Sequence, residues 1–254
     1  MAPGKQMRLH RLFARDGNTV IAALDHGIAG ITPLGKLEHP ERIIPAIIEA
    51  GADALIVTPG IARNFAGLFG KTGIIVRADC GPTTLTSEWS STKPTLGVED
   101  ALRLGADAVV AMGIVGAPGE SASLHALAIL ASGCDREGLV LLAEMLPGGF
   151  SASEVSADHV AVAARVGAEL GADIIKIRYT GSVESFQTVT CSCYCPVVVL
   201  GGSKQSPEQL VRSTCEAIKA GAKGVAVGRN MWQSKDPGGI TKALVEAVHG
   251  GGMA

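Results

Sequence analysis

Short apolar runs alternate with longer amphipathic stretches along the whole chain. Eight runs stand out, at 19–24, 54–58, 74–78, 108–112, 140–145, 174–179, 197–200 and 224–227. Most are apolar throughout, the pattern of parallel strands covered on both faces. Between them lie helical stretches, at 40–50, 98–104, 153–170 and 207–220. Each runs into glycine, which takes the left-handed helix stop cheaply. A Gly-Ala pair follows at Gly51-Ala52, Gly105-Ala106, Gly171-Ala172 and Gly221-Ala222, and three of the four continue with Asp53, Asp107 and Asp173. Eight strand–helix units predict an α/β protein folded as a (β/α)8 TIM barrel. A doubly wound open sheet is the alternative, but no G-x-G-x-x-G follows the first strand. No linker or composition break divides the chain, so residues 1–254 read as a single TIM-barrel domain. Residues 1–17 precede the first strand, and Leu9, Leu12 and Phe13 predict a short amphipathic helix there.

Composition narrows the function. The 254 residues are 47% hydrophobic, enough for one large core without disulfides or metals. Six cysteines in a chain of this length do not suggest a disulfide framework. A net charge of -2 and 4% aromatics argue against nucleic acid as a partner, which needs basic surface and stacking rings. No apolar run reaches the ~18 residues of a membrane span. The basic N-terminal segment lacks the apolar stretch of a secretory leader. A cytoplasmic protein with reduced thiols, touching neither membrane nor nucleic acid, is expected.

A TIM barrel collects its active site where the strands end. Strand one ends in Asp25-His26-Gly27, strand three carries Arg77 and ends near Asp79, and strand five carries Glu144. Strand six carries Lys176 and Arg178. Strands seven and eight end in Gly201-Gly202-Ser203-Lys204 and Gly228-Arg229-Asn230. The plainer reading of these last glycines is tight turns. Two such loops on adjacent strands, one followed by arginine, favour a phosphate cradle and a phosphorylated small-molecule substrate. Glycines let backbone N–H groups approach an anion, and Arg229 adds a full charge.

Lys176 lies among isoleucines. A mid-strand lysine is rarely buried without a reason. It either snorkels to the strand end or is the amine that attacks a carbonyl and forms a Schiff base. The second role needs a neutral amine, which burial beside another cation favours. Arg178, two residues on, would share its face. Other features carry less. Cys191, Cys193 and Cys195 depart from structural metal spacing, with no histidine adjacent, so no metal site is expected. His26 either hydrogen-bonds substrate or ties down the first loop. Trp89 and Trp232 read as packing, and His125 and His159 fall on helices away from the site.

The stretches ALDHG at 23–27, GADIIKIRYTG at 171–181, CPVVVLGGSK at 195–204 and GAKGVAVGRNMWQ at 221–233 together resemble the archaeal-type class I fructose-bisphosphate aldolase family. That family also contains 2-amino-3,7-dideoxy-D-threo-hept-6-ulosonate synthase and the phospho-autoinducer-2 thiolase. The resemblance covers most of the chain and is closest in its C-terminal third. It implies a Schiff-base-forming class I aldolase or transaldolase acting on a phosphorylated ketose, with dihydroxyacetone phosphate as donor. No cofactor is implied beyond the covalent adduct on Lys176. By the same resemblance Asp25 is the first-strand catalytic aspartate, and Gly201, Gly202, Ser203, Gly228 and Arg229 form the phosphate site. Together with the low charged fraction, it suggests a homo-oligomer.

One departure matters. Where the family often carries Tyr-Pro-Arg-Gly after strand five, this chain has Leu146-Pro147-Gly148-Gly149. Leucine cannot transfer a proton, and Gly148 cannot bind a second phosphate. Glu144 shares the face of Leu146. It either takes over the proton transfer or forms an ion pair with Arg178, Arg77 or Lys176. The change points to a specialised aldehyde acceptor, as in the synthesis of a C7 precursor. Loops 28–37 and 83–95 are expected to shape that subsite. Two alternatives stay open: a non-covalent phosphate-binding isomerase or synthase, and a non-catalytic sugar-phosphate sensor.

Overall fold

The computed structural model describes residues 2–28, 35–83, 85, 92–150, 152 and 155–250. Eight parallel strands close into one barrel: β1 (Thr19–Ala23), β2 (Ala54–Val57), β3 (Gly73–Arg77), β4 (Ala108–Val115), β5 (Val140–Pro147), β6 (Ile174–Ile177), β7 (Val197–Leu200) and β8 (Gly224–Val227). Neighbours follow chain order, and β8 returns to β1 with Thr19 opposite Gly224. Every predicted run is a strand, with shifted bounds. β6 stops at Ile177, while β4 and β5 run on to Val115 and Pro147.

Helix α1 (Pro3–Leu12) precedes the barrel. Around it lie α2 (Pro40–Glu49), α3 (Pro59–Phe65), α4 (Val98–Arg103), α5 (Glu120–Glu137), α6 (Ala157–Glu169), α7 (Val183–Ser192), α8 (Pro207–Lys219), the single turn α9 (Arg229–Trp232) and α10 (Pro237–His249). Serines start three of them, with Ser156, Ser182 and Ser206 each accepting a backbone N–H of the first turn. The start predicted for α6 at 153–154 lies outside the described residues. A two-residue ribbon pairs Asp79–Cys80 with Lys93–Pro94.

The strands are buried on both faces because one face fills the barrel and the other packs under helices. Ile21, Ala23, Ile56, Ile75, Val110, Leu142, Ile174, Val198 and Ala226 form the inner cluster. Val20, Ala22, Leu55, Val76, Val109, Leu141, Ile175 and Val199 belong to the outer one. Side chains alternate along a strand. The inward position after Ala23 is therefore Asp25, after Ile75 Arg77, after Leu142 Glu144, and after Ile174 Lys176. The barrel is apolar below and charged at its C-terminal end.

The recurring Gly-Ala-Asp has a structural cause at the opposite end. Asp53 accepts the Val20 N–H at 2.7 Å, Asp107 that of Ile74 at 3.1 Å and Asp173 that of Leu141 at 2.8 Å. Each carboxylate also holds a cation from a terminal helix or the residue next to its end. His249 lies 3.1 Å from Asp53, Arg11 2.6 Å from Asp107 and Lys5 3.1 Å from Asp173. Leu12, fully buried in the inner cluster, plugs this end of the barrel. Among the described residues no helix is long and apolar enough to cross a membrane.

Candidate active site

Glu144 of β5 and Lys176 of β6 are partners in the sheet register. Lys176 Nζ lies 2.7 Å from Glu144 Oε1. The other Glu144 oxygen accepts a hydrogen bond from the Arg77 guanidinium. Arg77, 1% exposed, also donates to Asp25 Oδ2 at 2.7 Å and to Asp79 Oδ1 at 3.1 Å. The second Asp79 oxygen accepts the Met112 N–H at 2.8 Å. Five charged side chains thus form one nearly buried network. Such burial is tolerable only where each charge has a partner, and here each does.

The charges set one another. Burial alone would raise the Asp25 carboxyl, but Arg77, with Lys176 and His26 behind it, holds Asp25 well below the usual carboxylate range. Glu144 follows the same logic: burial raises it, Lys176 and Arg77 outweigh that, and the result is a lowered value. At Asp79 burial wins over Arg77 and the Met112 N–H, and its carboxyl is raised. Burial opposes the Arg77 charge, yet Asp25, Glu144 and Asp79 push it well above the ordinary arginine value. His26 is lowered, chiefly by burial.

Asp25, His26, Arg77, Glu144, Lys176, Gly201, Gly202, Gly228 and Arg229 all line one cavity of about 180 Å³. Two glycine-bearing loops line it after β7 and β8. Gly202 has a left-handed backbone, φ 63°, which favours glycine. Asn230 stitches the loops together: its amide donates to the Gly201 and Ser203 carbonyls at 2.8 and 2.9 Å, and its oxygen accepts the Gln205 N–H at 2.9 Å. The Arg229 guanidinium reaches the Gly202 carbonyl at 3.2 Å. At Gly228 the constraint is space, since a Cβ there would sit 2.1 Å from His26 Cε1. His26 also packs edge-on against the fully buried Trp232, ring centroids 5.3 Å apart.

Ser203 and Arg178 line an adjoining cavity of about 420 Å³, which shares Gly201, Gly202 and Arg229 with the first. The sequence puts Arg178 on the face of Lys176; in the structure it lines this second cavity and not the first. It lies just beyond the end of β6 at Ile177, and its guanidinium donates to the Ala152 carbonyl at 3.1 Å. Of the partners considered for Glu144, the structure selects Arg77 and Lys176. The sequence places Arg77 and Asp79 at the end of strand three but assigns them no catalytic or binding role. The signal that marks Lys176, a charge closing an apolar run, also marks Arg77. Asn230 carries no such signal.

Residues 29–34, 84 and 86–91, including Trp89 and most of both loops expected to shape the acceptor subsite, lie outside the described residues. Cys191, Cys193 and Cys195 precede β7 at the far end of the barrel, and all six cysteines are free thiols. Among the described residues no three His, Cys, Asp or Glu side chains are placed to hold a metal ion.

Fold and site together define a barrel enzyme built for carbonyl chemistry. Residues 19–234 match the DeoC/LacD family of aldolases, and the chain belongs to that family. It is 37% identical to 2-amino-3,7-dideoxy-D-threo-hept-6-ulosonate synthase 1 of Archaeoglobus fulgidus, over 97% of this chain and 92% of that protein. It is 32% identical to 2-amino-4,5-dihydroxy-6-oxo-7-(phosphonooxy)heptanoate synthase of Streptomyces griseus, over 99% and 94%. A solved archaeal fructose-1,6-bisphosphate aldolase superposes with a TM-score of 0.88 at 32% identity, covering 97% of this chain and 99% of that one. Another archaeal fructose-1,6-bisphosphate aldolase structure, TM-score 0.87 at 31% identity over 96% and 99%, has its catalytic lysine covalently bound to the carbinolamine intermediate. The protein is a class I aldolase, of the kind that works through a covalent lysine adduct in place of a cofactor.

Proposed function

We propose that the protein joins dihydroxyacetone phosphate to a polar aldehyde, with Lys176 as the Schiff-base lysine. One observation carries this reading. Lys176 Nζ sits against Glu144 in a cavity that the paired glycine loops and Arg229 also line. The donor phosphate would rest on Gly201, Gly202, Ser203, Gly228 and Arg229, with Arg178 contributing from the adjoining cavity.

The chemistry follows from the placement. The neutral amine adds to the donor ketone and gives a carbinolamine, whose hydroxyl leaves as water to form an iminium. The iminium accepts the electron pair left when the neighbouring carbon loses a proton, giving an enamine. That carbon attacks the aldehyde, the new alkoxide takes a proton, and water releases ketose and lysine. Glu144, in bonding distance of Nζ, takes and returns protons there, and Asp25 serves the reacting hydroxyls. His26 hydrogen-bonds the substrate from the cavity wall. An iminium carries the same charge as the ammonium it replaces, so the network around it need not rearrange.

Leu146 and Gly148 supply neither the family's tyrosine nor a cation for a second phosphate. This favours an acceptor without phosphate. The name of the Streptomyces griseus relative describes a seven-carbon 2-amino acid with a 6-ketone and a 7-phosphate. An aldol disconnection beside that ketone gives dihydroxyacetone phosphate and a four-carbon amino-acid aldehyde. We take an aldehyde of this class as the acceptor, and the protein as a cytoplasmic homo-oligomer without nucleic-acid or membrane partners.

Borohydride reduces an iminium to a stable secondary amine. Incubation with dihydroxyacetone phosphate and borohydride should inactivate the enzyme and add the donor's mass to the peptide containing Lys176. Lys176→Met should fold, still bind phosphate, and lose both trapping and turnover. Labelling of Lys204 instead, or turnover by Lys176→Met, would replace this reading with a non-covalent barrel enzyme. Phosphorylated-ligand binding without trapping or turnover would indicate a sensor. An aldehyde panel scored by product mass identifies the acceptor.

A further inference from the structure

The site has a member that neither the motif resemblance nor the proposed chemistry uses. Arg77 ends β3, on the opposite side of the carboxylates from Lys176. Its guanidinium is as buried as any core leucine, yet it makes hydrogen bonds to side chains from three places in the fold. Nε and Nη2 reach Asp25 after β1, at 2.7 and 2.6 Å. Nη2 also meets Glu144 on β5, and Nη1 meets Asp79, two residues further along the chain beyond β3, at 3.1 Å. Glu144 in turn holds Lys176. The planar fork of arginine can serve several carboxylates at fixed angles, which a lysine ammonium cannot do equally.

Resting on the reading that Lys176 is the nucleophile, we propose that Arg77 is a positioning residue: it holds Asp25 and Glu144 in place on the wall of the Lys176 cavity. Asp79 anchors the assembly, because its other oxygen is fixed by the Met112 N–H on β4. The geometry explains why a costly buried cation persists beneath a cavity that already contains one. Without it, two carboxylates would face each other with only Lys176 between them. Each time Lys176 lost its charge, nothing would balance them.

The consequence is a pH dependence. The charged and titratable groups facing this cluster are Asp25 and His26 from the end of β1, Asp79 beyond β3, Glu144 on β5, Lys176 on β6 and Arg229 after β8. Among them Arg77 is the cation hydrogen-bonded to both Asp25 and Glu144. Removing it should raise the pH at which Asp25 and Glu144 pick up protons.

The test uses a reaction that needs no acceptor: exchange of solvent deuterium into dihydroxyacetone phosphate next to its ketone, followed by mass spectrometry across pH. In Arg77→Met, borohydride trapping should still mark Lys176, and the acid limb of the exchange profile should move up by about one pH unit or more, the usual effect of an adjacent arginine on a carboxylate. Arg77→Lys retains one cation and is the more conservative fold, and it should shift the limb in the same direction by less. A folded variant whose rate falls by one factor at every pH, with the limb unmoved, would make Arg77 a structural residue and overturn the proposal. If Arg77→Met does not fold, an unmoved limb in Arg77→Lys overturns it equally. Failure of the wild-type enzyme to trap at Lys176 would instead sink the reading on which this rests.

Discussion

Glu144 and Lys176 face each other across adjacent strands, register partners whose side chains meet at 2.7 Å. A carboxylate fixed at that distance from the amine proposed as nucleophile is placed to exchange protons with it. Glu144→Gln preserves volume and removes the charge. Turnover should fall by roughly 10²-fold or more, the usual contribution of a positioned acid–base group. The check is the rate of borohydride inactivation in dihydroxyacetone phosphate, alongside a circular dichroism spectrum showing the fold intact. Wild-type rates in a folded Glu144→Gln would assign the pair to structure.

The barrel was legible because its signal is redundant. Eight apolar runs each had to be covered twice, and the glycine stops between them left room for little else. Lys176 was legible for the opposite reason, as a charge where the run demanded apolar side chains. Arg77 broke the same rule, but the sequence offered it only as one of three possible partners of Glu144. Only the closure of the barrel brings Asp25 and Glu144, 52 and 67 residues away in sequence, onto the same guanidinium. Arg178 fails in the other direction. Alternation assigns it the face of Lys176, yet it stands beyond the end of β6 and lines the adjoining cavity, a division that the sequence does not show. The repeated aspartates 53, 107 and 173 were visible as a pattern without a purpose, since their backbone partners lie on neighbouring strands.

In the proposed phosphate site Arg229 supplies a full positive charge. Its guanidinium lines both cavities and reaches the Gly202 carbonyl across the two loops. Arg229→Ala should weaken the binding of dihydroxyacetone phosphate by about 1.5–3 kcal/mol, the worth of a hydrogen bond to a charged group. Isothermal titration measures this directly, and inorganic phosphate should lose affinity in parallel. Unchanged affinity for both would remove the β8 loop from the anion site.

Gly228 tests the space around His26. A methyl group added there meets the imidazole at 2.1 Å, and the Ala23 carbonyl at 3.0 Å blocks a backbone retreat. The ring also packs against Trp232, which is fully buried. Gly228→Ala should therefore destabilise the protein by about 1–3 kcal/mol, the range for overpacking a filled site. It should also displace His26 from the cavity and weaken donor binding. Equilibrium urea unfolding reads the first effect and titration the second. A variant with wild-type stability would mean that the loop carrying Gly228 yields easily, contrary to its close packing.

His249, last residue of α10, clips that helix to the barrel's N-terminal end. Its Nδ1 lies 2.8 Å from Asp16 and its Nε2 3.1 Å from Asp53, so each ring nitrogen faces a carboxylate. Burial disfavours the charged ring, but the Asp16 hydrogen bond and the Asp53 charge outweigh it and raise the pKa. A group raised on folding binds its proton more tightly in the native state. Its stabilisation is complete below the unfolded histidine value of about 6.5 and is lost as pH rises through the higher folded value. His249→Gln removes the titrating group while leaving a polar side chain. Wild type should exceed this variant in stability by on the order of 1 kcal/mol at about pH 6, the scale of a partly exposed ion pair. The margin should shrink as the pH is raised to about 9. Urea unfolding of both proteins at the two pH values decides the matter. A margin that stays constant, or grows with pH, would show that the ring is not held as a cation between Asp16 and Asp53.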